Sequence, residues 1–486
     1  MTDVGRAIPL PDYLNHWVAT QRWFADKGQV PRLVSIGRWV LPSEETEVDI
    51  RTELVFDAAA PTRTLYQLPL TQRTAPLPED TQGLIVTLAD GSAVYDGTAD
   101  PAYGRALLGF ILAEDSSPEP GNLGTRARGE LLSSADSDER PARVVSSRVL
   151  AGEQSNTSII LDCVDAAGRP ARPIICKVFR MLHAGENPDV SVQSALARAG
   201  SRFVPEPVGC VVGEWGDSGQ PHPDLTGHLV FAQEFLPDAP DAWRTALASA
   251  GAGADFSRQA RALGVATAAV HADLAAVMPA HDATPAVIAA ELGRMRERYR
   301  SAAAEVPALT RYETAVDAVF TRAETAHWPR LQRIHGDFHL GQALEVQGHG
   351  WVLVDFEGEP LRPLLDRSQP DVPLKDIAGM LRSFSYVAGT VERSSPGHQT
   401  AVADAWAAAC RQAFLDGYVA RSGQSLTGQE PLLDAFELDK ALYEAVYETR
   451  NRPSWLPIPL AAIRDLVEGT SAGLPKRPAA VTPVSA

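Results

Sequence analysis

The 486-residue chain is short of cysteine, of positive charge and of long apolar runs, and each shortage removes a class of function. Its four cysteines, Cys163, Cys176, Cys210 and Cys410, lie far apart with no C-x-x-C pair. That argues against a disulfide framework or a zinc knuckle and fits a reducing cytoplasm. Lysine and arginine number 44 against 61 aspartates and glutamates, a net charge of -17. Phosphate neutralisation has little to draw on, so no nucleic-acid partner is expected. The same acidity disfavours anionic membrane surfaces, and no run of about eighteen apolar residues is present to span a bilayer. The N-terminus, with Asp3, Pro9 and Pro11, lacks the apolar core of a signal peptide. A cytoplasmic protein without a membrane partner is the expectation.

Hydrophobic residues make up 45% of the chain and charged ones 22%, which is ordinary globular composition, and the length favours two or three packed units. Residues 33–40, 48–56, 64–70 and 84–88 read as short strands broken by turns, and residues 101–113 carry an apolar helical stripe. Residues 116–143, rich in Ser, Gly, Pro and mixed charge, read as a linker or surface loop. A second β unit follows, with strands at 144–150, 158–163 and 173–179. From about residue 241 the pattern becomes alanine-rich and helical, at 258–277, 285–299 and 312–327, with a β island at 351–356 and a tail at 476–486 that reads as disordered. A β-rich N-terminal portion before a larger helical one is an α+β plan with two lobes, and a cleft between lobes is a common ligand site.

The strongest local signal is His335-Gly336-Asp337-Phe338-His339-Leu340-Gly341-Gln342, followed by Val354-Asp355-Phe356-Glu357. It gives a carboxylate on a loop, an amide five residues on, and a second carboxylate ending a short apolar strand. Phosphoryl transfer needs such a set: Asp337 to orient and accept a proton from a hydroxyl nucleophile, Gln342 and Asp355 as hard oxygen ligands for Mg²⁺. A metal-dependent hydrolase built on His335, Asp337 and His339 competes for the same residues, as does a plain structural role for the two histidines. The kinase reading also demands a phosphate-covering loop and a strand lysine upstream. Lys177, within the β-branched run Ile174-Ile175-Cys176-Lys177-Val178-Phe179, supplies the lysine. Gln154, Ser155, Asn156 and Thr157 supply small polar side chains and backbone N–H groups in place of glycines. The apolar strand ending at Gln233-Glu234-Phe235 suits a hinge whose backbone, at Gln233 and Phe235, could hydrogen-bond an adenine.

Residues 189–200 read as a helix, yet where a kinase helix would offer a glutamate to the lysine this one has Ser191. Asp189 and Glu186 are the nearest acids. Asp189 has a structural reason of its own in the first turn after Pro188, so ordering of Lys177 by bound phosphates alone is the favoured expectation. Near the C-terminus, residues 437–451 read as a helix with Lys440, Tyr443 and Tyr447 on one face, where a basic group beside two aromatic rings suits a sugar. Packing of those tyrosines on the lobe is the alternative.

Together with Gly152-Glu153-Gln154-Ser155-Asn156-Thr157-Ser158, Asp376-Ile377-Ala378-Gly379 and Arg450-Asn451-Arg452-Pro453-Ser454-Trp455-Leu456-Pro457-Ile458-Pro459-Leu460, these motifs resemble the actinobacterial maltokinase family, and Arg22-Trp23-Phe24-Ala25 resembles its N-terminal cap. The resemblance implies a bilobal protein-kinase-like fold, with a cap at 1–115, an N-lobe β unit with hinge at 144–237 and a helical C-lobe at 238–475. It implies ATP and Mg²⁺ as cofactors and transfer of the γ-phosphate to the anomeric hydroxyl of maltose. The product, maltose 1-phosphate, would feed trehalose-derived α-glucan synthesis, with trehalose synthase as an associated partner and a monomer favoured. Residues Lys440, Tyr443, Tyr447, Arg450 and Trp455 are implied to touch the sugar. Related capped kinases use glucosamine, so an aminosugar kinase is the alternative acceptor reading, and a nucleotide-binding pseudokinase is a further one.

Overall fold

The computed structural model describes residues 8–469 apart from 26, 61–62, 80, 118–124, 133–140, 151–154, 217–224, 360–361, 363 and 395–399. The expected disordered tail at 476–486 and Gln154 lie outside the described residues. The chain divides into two compact units, Met1–Arg198 with Pro205–Pro237, and Ala199–Val204 with Asp238–Ala486.

The first unit holds β1 (Ile8–Pro9), α1 (Asp12–Thr20), β2 (Leu33–Leu41), β3 (Val48–Asp57), β4 (Leu65–Arg73), β5 (Leu84–Thr87), β6 (Ala93–Asp96) and α2 (Pro101–Leu112). There follow β7 (Arg126–Leu131), β8 (Arg143–Val149), β9 (Asn156–Val164), β10 (Ile174–Phe179), β11 (Met181–Leu182), α3 (Pro188–Arg198), β12 (Pro207–Trp215) and β13 (Leu225–Glu234). One antiparallel sheet runs β1-β2-β3-β4-β6-β5, and a second runs β7-β12-β13-β10-β9-β8. Every residue of β10 is buried, as its unbroken apolar run around Lys177 requires of a central strand. The chain leaves β10 and at once pairs β11 with β4, so the lysine strand is stitched to the first sheet. Helix α2 begins with Pro101 behind Asp100, whose carboxylate accepts the Ala102 N–H, and its apolar stripe joins the core that includes Trp39, Ile159 and Phe231.

The linker expected at 116–143 needs correction, because it contains β7, paired with β12 from Arg126↔Glu214 to Leu131↔Gly209. The glycine that lowered its apparent order has a packing reason: a Cβ on Gly129 would collide with the Phe110 carbonyl of α2.

The second unit holds α4 (Ala242–Gly251), α5 (Ser257–Val277), α6 (Pro285–Glu305), α7 (Glu313–Glu324), β14 (Ala343–Val346), β15 (Gly350–Leu353), α8 (Leu364–Arg367), α9 (Leu374–Ser394), α10 (Thr400–Ser422), α11 (Glu430–Asn451) and α12 (Pro457–Glu468). β14 and β15 form a hairpin. Helices α5 and α10 cross closely: a Cβ on Gly264 would strike the Phe414 carbonyl, and one on Gly417 the Arg261 carbonyl. Helix α5 has the length and mean composition of a membrane span, although Arg258, Arg261, His271 and Asp273 interrupt its apolar residues. More than half of its most apolar stretch is buried, with Leu263, Ala266, Val270 and Leu274 inside, as in a core helix.

Candidate active site

In the second unit the turn at residues 335–337 is held by a buried acid that sequence reading left without a role. The backbone N–H groups of His335 and Gly336 donate to the Asp376 carboxylate at 2.8 and 2.9 Å. Nε2 of buried His271 donates to the same carboxylate at 2.9 Å, and Asp376 lies in the first turn of α9, where the helix dipole favours an anion. Gly336 takes φ +85°, which a Cβ would strain. The His335 ring donates from Nε2 to the Val354 carbonyl at 2.9 Å and lies against Phe338 and Phe356, with ring centroids 5.1 and 4.6 Å away. His339 accepts the Gly341 N–H on Nδ1 at 3.0 Å. Both histidines are thus committed to shaping the loop. Among the described residues, His335, Asp337 and His339 form no group of converging ligand atoms, so the hydrolase reading loses its metal site.

Asp337 accepts a hydrogen bond on Oδ1 from Lys440 Nζ at 2.8 Å, and Glu359 accepts one on Oε1 from the same ammonium at 2.9 Å. Burial pushes the Asp337 carboxyl up, but the Lys440 charge, helped by His339 and by the Lys440 hydrogen bond, prevails and holds it at about 2. Burial alone would lower Lys440; the two carboxylates instead raise it well above the ordinary lysine value. Asp337 is therefore an anion across the physiological range, and Lys440 a fixed cation beside it. The ammonium also lies 4.9 Å from the Tyr443 ring centroid.

Two residues beyond β15 the backbone of Asp355 takes φ +70°, an unusual state for a non-glycine residue. Gln342 donates from Nε2 to Asp355 Oδ2 at 2.8 Å, and its carbonyl accepts the Val354 N–H at 3.0 Å. Carboxylate oxygens of Asp355 and Glu357 come within 4.8 Å of each other. Amide and carboxylate oxygens are the donor set that Mg²⁺ prefers, so these residues fit the ion. Glu357 stood in the sequence motif but was given no role; two carboxylates two residues apart at a strand end was the available signal.

On α11, Tyr443 and Tyr447 stack with centroids 6.5 Å apart, so Lys440, Tyr443 and Tyr447 do share a face. Lys440, however, directs two of its three donors to Asp337 and Glu359. Arg450, at the exposed end of the helix, pairs with Glu305 through Nε at 2.8 Å, and Trp455 stacks on Tyr386 at 6.5 Å between Arg393 and Arg452. Neither joins the Asp337 cluster: ten residues of helix separate Arg450 from Lys440, about 15 Å of rise.

In the first unit Lys177 Nζ lies 2.6 Å from Asp189 Oδ2, both side chains being buried, and Gln193 Nε2 donates to Asp189 Oδ1 at 2.5 Å. The expectation that phosphates alone order this lysine is thereby corrected. Asp189 sits in the first turn of α3, and that placement brings its carboxylate to the strand; Ser191 is only half-buried and supplies no acid. Ser155 is exposed at the start of the hairpin strand, and Asn156 opens β9 opposite Phe179. Thr157 turns its hydroxyl to Arg180, accepting from Nε at 2.8 Å. Gln233 is buried in β13, and the Phe235 N–H is taken by the Pro173 carbonyl at 2.8 Å, so that N–H is not open to a base.

Comparison with known proteins agrees with this geometry. Residues 17–100 match the maltokinase N-terminal cap domain, and residues 194–421 match the phosphotransferase enzyme family. A glucosamine kinase of Mycolicibacterium smegmatis is 31% identical over 410 residues, 80% of this chain and 96% of that protein. One from Streptacidiphilus jiangxiensis is 30% identical over 350 residues, 67% of this chain and 74% of that protein. A solved glucosamine kinase in complex with glucosamine, ADP and inorganic phosphate superposes with a TM-score of 0.63 at 22% identity, over 93% of this chain and 98% of that one. That likeness establishes the kinase-like bilobal fold. With a phosphotransferase domain behind a maltokinase cap, and relatives aligned over most of their length, the chain belongs to the capped sugar-kinase branch of the phosphotransferase enzyme family.

Proposed function

We propose that the protein transfers the γ-phosphate of ATP to a hydroxyl of an aminosugar, glucosamine being the first candidate. The observation that carries the reading is Asp337, held ionised by Lys440 on a turn locked to Asp376. The carboxylate orients the acceptor hydroxyl. Because so acidic a group is a weak base, it takes the proton late, once bond formation to phosphorus has made the hydroxyl acidic. Lys177 binds the nucleotide phosphates, positioned by Asp189. Asp355 and Gln342 are the residues that would hold Mg²⁺, with Glu357 beside them. The ion, when bound, neutralises phosphate charge and orients the transferring group. Tyr443 and Tyr447 offer ring faces to the sugar.

Two features favour a cationic acceptor. Two relatives aligned over the greater part of the chain are named glucosamine kinases. Around the attacking position two carboxylates, Asp337 and Glu359, face one ammonium, leaving a net negative charge that suits a sugar ammonium. Maltose is the second reading, supported by the cap match and by the motif from Arg450 to Leu460. It is weakened by the engagement of Arg450 and Trp455 elsewhere. A coupled ATPase screen over glucosamine, maltose, glucose and trehalose decides between them. Glucosamine-dependent turnover is expected; turnover on maltose alone would establish the second reading, and ATP binding without turnover on any sugar would leave a pseudokinase.

A further inference from the structure

Arg180, in the short link between β10 and β11, is fully buried, yet it has no place in the chemistry above. Its guanidinium donates from Nε to Thr157 Oγ1 at 2.8 Å, and from Nη2 to Asp96 Oδ2 at 2.6 Å and Thr98 Oγ1 at 3.0 Å. It also lies 5.1 Å from the Trp23 ring centroid. Asp96, Thr98 and Trp23 belong to the region matched by the cap model, while Thr157 is the second residue of β9. Main-chain bonds reinforce the junction. The Gln67 N–H donates to the Arg180 carbonyl at 3.0 Å, and its side chain donates to the carbonyls of Phe179 and Leu229, both at 2.6 Å. One rigid fork thus ties the cap to β10, which bears Lys177, and to the start of the neighbouring strand β9.

We propose that Arg180 is a positioning residue through which the cap sets the start of β9 and the register of Lys177, so that the cap tunes nucleotide affinity from a distance. The inference rests on the nucleotide role given above to Lys177. A planar guanidinium with three fixed acceptors transmits a shift at one of them to the others, because buried forks have few alternative geometries.

Asp96→Asn tests it, keeping shape and the acceptor for the Thr98 N–H while removing the charge Arg180 faces. Thr157→Val breaks the opposite arm at constant volume. Each single variant should raise KM for ATP by about threefold to tenfold, the range of coupling carried between sites, with KM for the sugar moving less than about twofold. The double variant should lose less than the product of the two, because both cut one network. A fall in melting temperature with KM for ATP unchanged would show a merely structural clamp and overturn the proposal. So would equal rises in both KM values. Lys177→Met is the control. If it impairs ATP use while Asp96→Asn and Thr157→Val do not, the coupling fails and the nucleotide reading stands. If Lys177→Met also leaves KM for ATP unchanged, the nucleotide reading itself has failed and carries the coupling down with it.

Discussion

Two lysines, Lys177 buried in the first unit and Lys440 half-buried in the second, sit beside carboxylates at nearly the same distance but by different routes. Lys177 finds Asp189 twelve residues away, across the turn from β10 into α3. Lys440 finds Asp337 and Glu359 at separations of 103 and 81 residues. The first pair is built from neighbouring elements; the second exists only because α11 packs back on the loop of residues 335–337. The difference also shows in charge. The Asp189 carboxylate beside Lys177 is shared with Gln193, whereas Lys440 bridges two carboxylates, and removing it would take that cation from both.

Removing Lys440 should therefore produce the largest effect. Lys440→Met leaves two half-buried carboxylates without this cation, which should lower stability visibly in thermal melts. In the wild type the Asp337 carboxyl lies near 2, below its ordinary 3.8, so the stabilisation from this pair is present above the ordinary value and lost only as pH falls through about 2. Without Lys440 the effect of burial on Asp337 loses its main counter-charge, and the acid limb of the kcat profile should move up from below pH 3 toward neutrality. An acid limb that stays put would show that Lys440 does not set the charge of Asp337.

Asp337→Asn comes next. It should lower kcat by about 10²–10⁴-fold, the contribution of a positioned proton acceptor, while ADP binding measured by calorimetry is retained. Near-normal turnover would remove Asp337 from the chemistry.

On the other side of the comparison, Asp189→Asn should raise KM for ATP by roughly tenfold or more, as the loss of one charge-assisted hydrogen bond of about 1.5–3 kcal/mol requires. Ser191→Glu should bring no gain, since Lys177 already has its acid. Improved ATP use in Ser191→Glu would mean that the Lys177–Asp189 pair is not the working one.

Smaller effects are expected along α11. Tyr447→Ala should raise the acceptor KM severalfold at unchanged KM for ATP, because a ring face is lost while the buried stripe of Leu438, Ala441, Leu442 and Ala445 is untouched. Arg450→Ala should change neither constant by more than about twofold, because its partner Glu305 is a surface residue and such pairs contribute little. A large acceptor effect at Arg450 would return it to the sugar site.

What could be read without the structure follows the range of the interactions involved. The strand around Lys177, the loop around Asp337, the Asp355 strand end and the shared face of Lys440, Tyr443 and Tyr447 are set by local pattern, by periods of two and 3.6 residues and by motif spacing. The β7 strand was hidden because its glycine, chosen for close approach to α2, looked like a linker residue. Asp376 was visible as an acid opening a 21-residue helix whose later positions are largely apolar, but its hold on the His335 and Gly336 N–H groups needs residues about 40 positions apart brought together.

By itself the sequence determined which side chains the chain brings to the site: a loop carboxylate, an amide and a strand-end carboxylate with hard oxygens, and a strand lysine, all matters of side-chain type and short spacing. Only the tertiary structure decided which charges meet. It gave Lys440 to Asp337 and Glu359, Asp189 to Lys177 and Arg180 to Asp96, because the partner of a buried charge is chosen by packing, and packing brings together residues that no local pattern relates.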